Sequence, residues 1–296
     1  MSSDAPAAVE IVRRFDDSSW AQGPTCGVEE VVEAGRVLAF PHLAFPFGDS
    51  ERRFLDPRWA DVKAKNVSVR WPAGELRGAA GAAADLDELR ALIVRFAEQS
   101  EALALRLFPH YRGHLRRGST SFRPIDVAGR VRSWRHDDTR LHVDAFPSNP
   151  MQGTRLLRVF SNVNPDGAPR RWRVGEPFEA HARRYFPLIK PAWRGSAWLM
   201  AGAGITKRRR TEYDHLMLQL HDRAKADAEF QRSSPQARVD FAPGTTWVCF
   251  SDQVLHAAIG GQHMLEQTFL LDAPCLAHPA SAPLAILERL AGRPLL

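Results

Sequence analysis

Between residues 238 and 271, short runs of apolar, β-forming residues alternate with turn formers. The run at 238–241 leads into Pro243 and Gly244, 245–250 into Ser251 and Asp252, and 254–259 into Gly260 and Gly261, after which 263–271 begins. Strands this short are stable only when several pair and share one buried face, so the stretch predicts a β-meander or barrel wall. A β-like segment at 154–163 adds to it. One β core with helical decoration is the economical reading.

The helical signals lie outside these segments. Asp85-x-x-Glu88 has the form of an N-terminal cap, and Leu89, Ile93, Phe96, Leu103 and Leu107 recur at near-helical spacing until Pro109. Asp87, Arg90, Arg95, Glu98 and Glu101 interrupt the run, so it predicts a core-packing helix rather than a bilayer span. Helices near 176–185 and at about 213–230, the latter capped by Thr211, read as insertions or outer helices, and another follows Ser281 and ends near Gly292 and Pro294. With no internal repeat and no long linker, residues 1–296 are expected to form a single domain. Its parts would be an N-terminal α/β region at 1–115, a β core at 116–275 with a helical insertion at about 176–231, and a C-terminal helix at 276–296.

Composition narrows the setting. The 44% hydrophobic content can bury a substantial core. The first residues carry Asp4 and Glu10 and lack the layout of a secretory signal. Cys26, Cys249 and Cys275 have no paired spacing, which argues against a disulfide framework or a Cys-rich zinc site and makes the cytoplasm the simplest location. The formal charge is +6, and basic residues cluster at 116–117, 170–173, 183–184 and 207–210. Such clusters attract anionic partners, although each alone could be an ordinary solvated surface. No nucleic-acid-binding motif accompanies them, and no nucleic acid partner is expected.

The chemistry rests on histidines. Two histidines and one carboxylate on one face hold a metal while leaving positions open, and the linear signature is His-x-Asp with a distant His. In a strand, residues i and i+2 project to the same side, so one strand end can supply two ligands. With 11 histidines and 34 acidic residues, His-x-Asp/Glu should occur roughly once by chance, and it occurs twice. His136-x-Asp138 lies in a polar stretch without alternation and reads as a loop. His142-x-Asp144 is flanked by Leu141, Val143 and Phe146 and reads as the end of a half-buried strand. The third ligand is expected at His256, between Leu255 and Ala257 and 114 residues after His142. His263 competes with it, but its place after Gly260 and Gly261 suggests a loop tip. There is no His-Glu-x-x-His, no Gly-x-Ser-x-Gly and no phosphate-cradling glycine loop.

An open Fe(II) site of this kind commonly takes 2-oxoglutarate and O2, and the far carboxylate of 2-oxoglutarate needs a cation, ideally the fork of Arg. Residues 260–271 hold no Arg or Lys. The jumonji-like branch of these oxygenases instead places a basic residue some way after the His-x-Asp motif, which points to Arg158, 16 residues after His142. Arg155, on the opposite side of the same strand if alternation holds, and Arg123, just upstream of the motif, are the other candidates.

The segments Arg140-Leu-His142-Val-Asp144-Ala-Phe-Pro-Ser-Asn-Pro150, 154–165, Phe250-Ser-Asp-Gln-Val-Leu-His256 and Glu266-Gln267-Thr268 together resemble the bacterial Kdo 3-hydroxylases. These are Fe(II)/2-oxoglutarate-dependent dioxygenases of lipopolysaccharide core assembly. The resemblance is sharpest at 121–165 and 245–270. It implies a mainly β fold with α, a double-stranded β-helix (jelly-roll, cupin- and jumonji-like) core with a helical N-terminal region, helical insertion and C-terminal helix. It also implies hydroxylation at C3 of 3-deoxy-D-manno-oct-2-ulosonic acid (Kdo) on a Kdo-lipid A precursor. An anionic glycolipid would suit the basic clusters, with peripheral contact at the cytoplasmic face of the inner membrane. Trp134, Trp172, Trp193 and Trp198 could pack on sugar rings, although core packing is the simpler role for most of them. Two other readings stay open at this point: a jumonji-type protein side-chain hydroxylase, and a cupin-like metal-binding protein without redox turnover.

Overall fold

A computed structural model describes residues 11–21, 27–61, 64, 66–124, 133–193 and 195–296. Asp4, Glu10 and Cys26 lie outside the described residues, as does 125–132 within the segment of sharpest resemblance. The described strands are β1 (Val12–Arg14), β2 (Val37–Phe40), β3 (Val67–Arg70), β4 (Glu75–Arg77), β5 (Arg116–Arg123), β6 (Thr154–Asn162), β7 (Arg170–Gly175), β8 (Gln236–Phe241), β9 (Thr246–Phe250), β10 (His256–Gly260) and β11 (Met264–Asp272). The helices are α1 (Val28–Glu33), α2 (Ala83–Leu107), α3 (Phe178–Tyr185), α4 (Ser196–Gly202), α5 (Glu212–Ala226), α6 (Ala228–Ser233) and α7 (Pro283–Ala291).

The β segments read from sequence at 154–163 and 238–271 all form strands. They divide between an eight-stranded sheet, ordered β1-β2-β9-β6-β11-β5-β3-β4, and a three-stranded sheet, ordered β10-β7-β8. The mixed α/β architecture is consistent with a jelly-roll core. β1 and β2 extend the large sheet at one edge and β3 and β4 at the other, so the N-terminal strands continue the core rather than form a layer of their own.

Pleating assigns each residue of β6 and β11 a side. Leu157 and Val159 of β6 and Phe269 and Leu271 of β11 pack with Leu103 and Leu107 of α2. Arg158 and Phe160 of β6, with Met264 and Glu266 of β11, turn the other way and line a cavity between the sheets. Burying each large apolar side chain contributes roughly 1.5–3 kcal/mol. A one-residue slip would put Arg158 and Glu266 under α2 and expel the apolar set, so the register that builds the core also aims the charges inward. Around the cavity, Phe160 stacks on Trp247 with centroids 5.2 Å apart, and Trp247 stacks on Phe241 at 4.1 Å.

Three local expectations are corrected. The long helix begins at Ala83, not at an Asp85 cap: Ala82 is its N-cap, and Asp85 sits in the first turn, where it suits the helix dipole and pairs with Arg53 at 2.9 Å. The expected helix at 213–230 is two helices, because Asp227 turns extended and its side chain accepts from the Phe230 amide, capping α6. Thr211 does cap α5, in a reciprocal box with Asp214. The third correction is β7, read from sequence only as a basic cluster, which is a strand of the small sheet.

Candidate metal centre and substrate cavity

The first two proposed ligands arrive on a short extended segment that docks against β10. His142 and His256 face each other across an antiparallel bridge closed by two backbone bonds, His142 N to His256 O at 3.0 Å and His256 N to His142 O at 2.9 Å. The Asp144 amide then donates to Ser251 O at 2.9 Å, which fixes the carboxylate two residues on. Leu141 and Val143, the alternate positions, are buried with Leu255 and Ala257 against α3, α5 and α7. Alternation thus sends the apolar pair into the helical layer and His142 and Asp144 into the cavity.

Both rings are held alike. Nδ1 of His142 lies 2.7 Å from Arg140 O and Nδ1 of His256 lies 2.9 Å from Val254 O, each two residues back along the chain. A carbonyl there selects the tautomer with hydrogen on Nδ1 and leaves Nε2 as the open donor atom. Trp172 stacks on the His256 ring at 5.0 Å, and His221 meets the His142 ring edge-on at 5.3 Å. One ligand atom from each of His142, Asp144 and His256 lies within 4.8 Å of the others, and this is the one such cluster among the described residues. His142 Nε2 is 3.8 Å from Asp144 Oδ1. A single ion bonded at about 2.0–2.2 Å spans such a set with small side-chain adjustment.

Electrostatics prepares the same three groups. Burial drives the His142 imidazole well below its ordinary pKa, and the nearby positive charge of Lys225 adds to the effect against the opposing pull of Asp144. Burial lowers His256 too. Burial would raise the Asp144 carboxyl, but Arg158, with His256 and His142, overrides it and holds the group well below the usual carboxylate range. Two neutral imidazoles and one carboxylate are the protonation states a metal requires. The donor set, the open cavity and the second-layer bonds therefore fit a non-haem Fe(II) centre.

The cavity measures about 530 Å³. On its strand wall, Arg158 places Nη2 2.9 Å from Asp144 Oδ2 and Nη1 2.8 Å from Glu266 Oε1, while Arg123 Nη2 takes the other Glu266 oxygen at 2.7 Å. Three adjacent strands thus contribute a cation, a carboxylate and a cation in a row. Arg155 is a correction: it is fully buried on the opposite face, bonded to Asp252 and Gln253 at 2.6 Å and lying over the Phe250 ring, and it does not reach the cavity. His263 is buried too, not at a solvated tip, with Nε2 2.8 Å from Leu55 O. His136 is exposed on a 3-10 turn with Nδ1 2.9 Å from Ser133 Oγ, although that loop does border the cavity. Cys249 is buried, and burial pushes its thiol up, so it offers no nucleophile.

Sequence reasoning missed Glu266, Arg170, His221 and Lys225 as cavity residues. For Arg170 a signal existed: Arg170, Trp172 and Val174 alternate with Arg171 and Arg173, a half-buried strand pattern hidden by the basic composition. Trp172 is in the wall as well, whereas Trp193 and Trp198 are 74% and 68% exposed and pack in no core.

The sequence profile of the 3-deoxy-D-manno-oct-2-ulosonic acid (Kdo) hydroxylase family matches residues 17–294. The chain belongs to this family. Among solved structures it is similar to the Kdo hydroxylase KdoO, a non-heme Fe(II) alphaketoglutarate dependent dioxygenase, in complex with cobalt(II), at 46% identity over 97% of each chain and a TM-score of 0.93. The complexes of KdoO with alphaketoglutarate and Fe(III), and with succinate and Fe(III), match at the same identity with TM-scores of 0.92, covering 96% and 97% of this chain and 97% of each of theirs. A comparison with curated proteins finds no match. Among Kdo hydroxylases, cosubstrate and succinate complexes are thus known for a chain that aligns with this one nearly end to end.

Proposed function

We propose that this chain is an Fe(II)/2-oxoglutarate-dependent dioxygenase that hydroxylates C3 of Kdo on a Kdo-lipid A precursor. The observation that carries the reading is the 46% identity to KdoO over 97% of both chains, together with the convergence of His142, Asp144 and His256. The family membership leaves the protein-hydroxylase and redox-silent readings without support.

Fe(II) with 2-oxoglutarate and O2 supplies the oxidising power, one oxygen atom going to the C–H bond and the other to succinate as CO2 leaves. The chain's own part is positioning. His142, Asp144 and His256 hold the metal. Arg158 grips the second oxygen of Asp144, which leaves Oδ1 for the ion. Arg158 and Arg123 form the cation pair for the far carboxylate of 2-oxoglutarate, with Glu266 keeping their guanidinium groups apart and inward until it arrives. Phe160, Trp172 and Met264 wall the site against water.

The same reading puts the chain at the cytoplasmic face of the inner membrane. No helix among the described residues is long and apolar enough to cross a membrane. Support for peripheral contact comes from Leu188, Trp193, Trp198, Leu199 and Ile205, each more than half exposed, beside the basic run at 207–210. Amphipathic aromatics next to Lys and Arg suit an anionic lipid surface. Lys207 N bonds Ser148 O at 2.9 Å and Arg210 bonds Pro147 O at 2.7 Å, which ties this face to the loop at the cavity edge.

The test is succinate formation coupled to a one-oxygen mass gain on the Kdo-lipid A precursor. Full product from His142→Ala and His256→Ala would overturn the assignment.

A further inference from the structure

The cavity has a second wall. It comes from α5, whose residues Leu218, His221, Asp222 and Lys225 recur at helical spacing and line the space. Lys225 is only 2% exposed, with its ammonium 3.0 Å from the Arg135 carbonyl. His221, one turn earlier, packs edge-on against the His142 ring. The helix wall therefore contributes a buried cation to the same cavity as the three proposed metal ligands.

The chemistry of a 3-deoxy-2-ulosonic acid gives this cation a purpose. The carboxyl carbon is C1 and the reacting carbon is C3, so only C2 separates them. A C–H bond that reacts must approach the oxidising centre to about 3–3.5 Å. The carboxylate two bonds away must then be met by a cation inside the cavity, alongside the metal, and not by one at the rim. Arg158 and Arg123, on the strand wall, are already assigned to the far carboxylate of 2-oxoglutarate. Arg170 is turned to the Gly261 carbonyl. Arg135 is more than half exposed and pairs with Asp222 at 3.3 Å, and His221 turns Nδ1 to the same carboxylate at 2.9 Å.

We propose that Lys225, held by the Arg135 carbonyl and flanked by His221, binds the C1 carboxylate of the sugar acid and so presents C3 to the metal centre. This rests on the sugar-acid reading above and adds a binding residue to it. Lys225 then separates two jobs between the walls: the strand wall takes the dicarboxylate cosubstrate and the helix wall takes the monocarboxylate of the substrate.

The experiment compares the Fe(II)-loaded full chain with its Lys225→Met, Lys225→Gln and Lys225→Arg variants on the Kdo-lipid A precursor and on the same precursor as its C1 methyl ester. Losing one charge-assisted contact predicts a KM for the sugar raised roughly 10- to 100-fold in Lys225→Met, with hydroxylated product per succinate falling. The KM for 2-oxoglutarate stays unchanged, and Lys225→Arg recovers part of the loss. The methyl ester suffers on the wild type and gains no further penalty on Lys225→Met. Lys225→Gln can still donate to the Arg135 carbonyl, so it carries the ester comparison where Lys225→Met does not fold. Equal discrimination against the ester by wild type and variant, or a variant with the wild-type sugar KM and coupling, would overturn the proposal. A wild type that hydroxylates neither sugar would instead remove the sugar-acid reading itself.

Discussion

His-x-Asp occurs twice within nine residues of this chain, and the two copies end up in opposite circumstances. His142 and Asp144 are tied by backbone bonds to β10 and to Ser251, and the bridge brings His256 directly opposite. His136 sits exposed on a 3-10 turn, and Asp138 follows in an irregular segment; no metal-holding group among the described residues includes either. Both copies border the same cavity, so proximity does not separate them. Bonding to β10 does not separate them either, since Asp138 O accepts from Ala258 N at 2.8 Å; what separates them is the reciprocal bridge that sets His142 directly opposite the third ligand, His256. The motif supplies donor atoms, and the pairing makes them converge.

The sharpest way to break this comparison is to exchange the fates of the two copies. His142→Ala or Asp144→Ala is expected to abolish Fe(II) retention and to lower product formation by more than roughly 100-fold, beyond the loss typical of an outer-layer partner. His136→Ala should stay within about two-fold. Metal content after desalting, read beside product yield, decides between them, and equal loss from both copies would dissolve the distinction.

A second prediction contrasts Arg158 with Arg155, neighbours on β6 that face opposite ways. Arg158→Met strands Asp144 and Glu266 and is expected to cost about 3–5 kcal/mol of stability, as removal of one member of a buried pair does. It should also raise the KM for 2-oxoglutarate roughly 10-fold or more. Arg155→Met breaks a still more deeply buried pair with Asp252 and should destabilise while leaving that KM intact for the folded enzyme. Denaturant midpoints and cosubstrate titrations together separate the two, and a shared KM effect would contradict the assignment of faces.

Burial also distinguishes His181 from the solvated His136. Burial, with Arg184 beside it, pushes His181 down to about 3 from an ordinary 6.5. The unfolded chain therefore binds a proton there that the folded chain refuses between those values. Stability from this group is complete above pH 6.5 and is lost as pH falls toward 3, by up to about 1.4 kcal/mol per pH unit. Acid unfolding of His181→Phe should move to lower pH. An unchanged acid midpoint for His181→Phe would count against a neutral buried imidazole.

The smallest effect belongs to the exposed face. Removing one charge with Arg209→Gln, whose guanidinium lies 4.8 Å from the Trp198 ring centre, should weaken binding to anionic vesicles about five-fold at low salt. Sedimentation with vesicles of anionic and of neutral lipid measures it, and equal binding to both would exclude an electrostatic contact.

Much of this was legible in the sequence wherever a residue's role depends on local period. Strands at 154–163 and 238–271 followed from alternation and turn residues, and His142, Asp144 and His256 came from the same reasoning. Glu266 was legible as part of a strand and of the family resemblance but not in its role, which arises from Arg158 on one neighbour and Arg123 on the other, a relation set by register across three strands. Lys225 carried no signal in the sequence, since nothing local says that α5 lines the cavity of the metal centre. Which of the tryptophans would be buried was not legible for a related reason: only the tertiary arrangement puts Trp172 in the cavity wall and leaves Trp193 and Trp198 in solvent.

The central claim is most directly tested by incubating the Fe(II)-loaded chain with 2-oxoglutarate, isotopically labelled O2 and the Kdo-lipid A precursor, then reading the sugar by mass spectrometry. One labelled oxygen on the Kdo residue at C3, formed with succinate and lost in His256→Ala, is the expected result. Succinate released with no oxygen gained by the sugar, or label incorporated equally by His256→Ala, would contradict it.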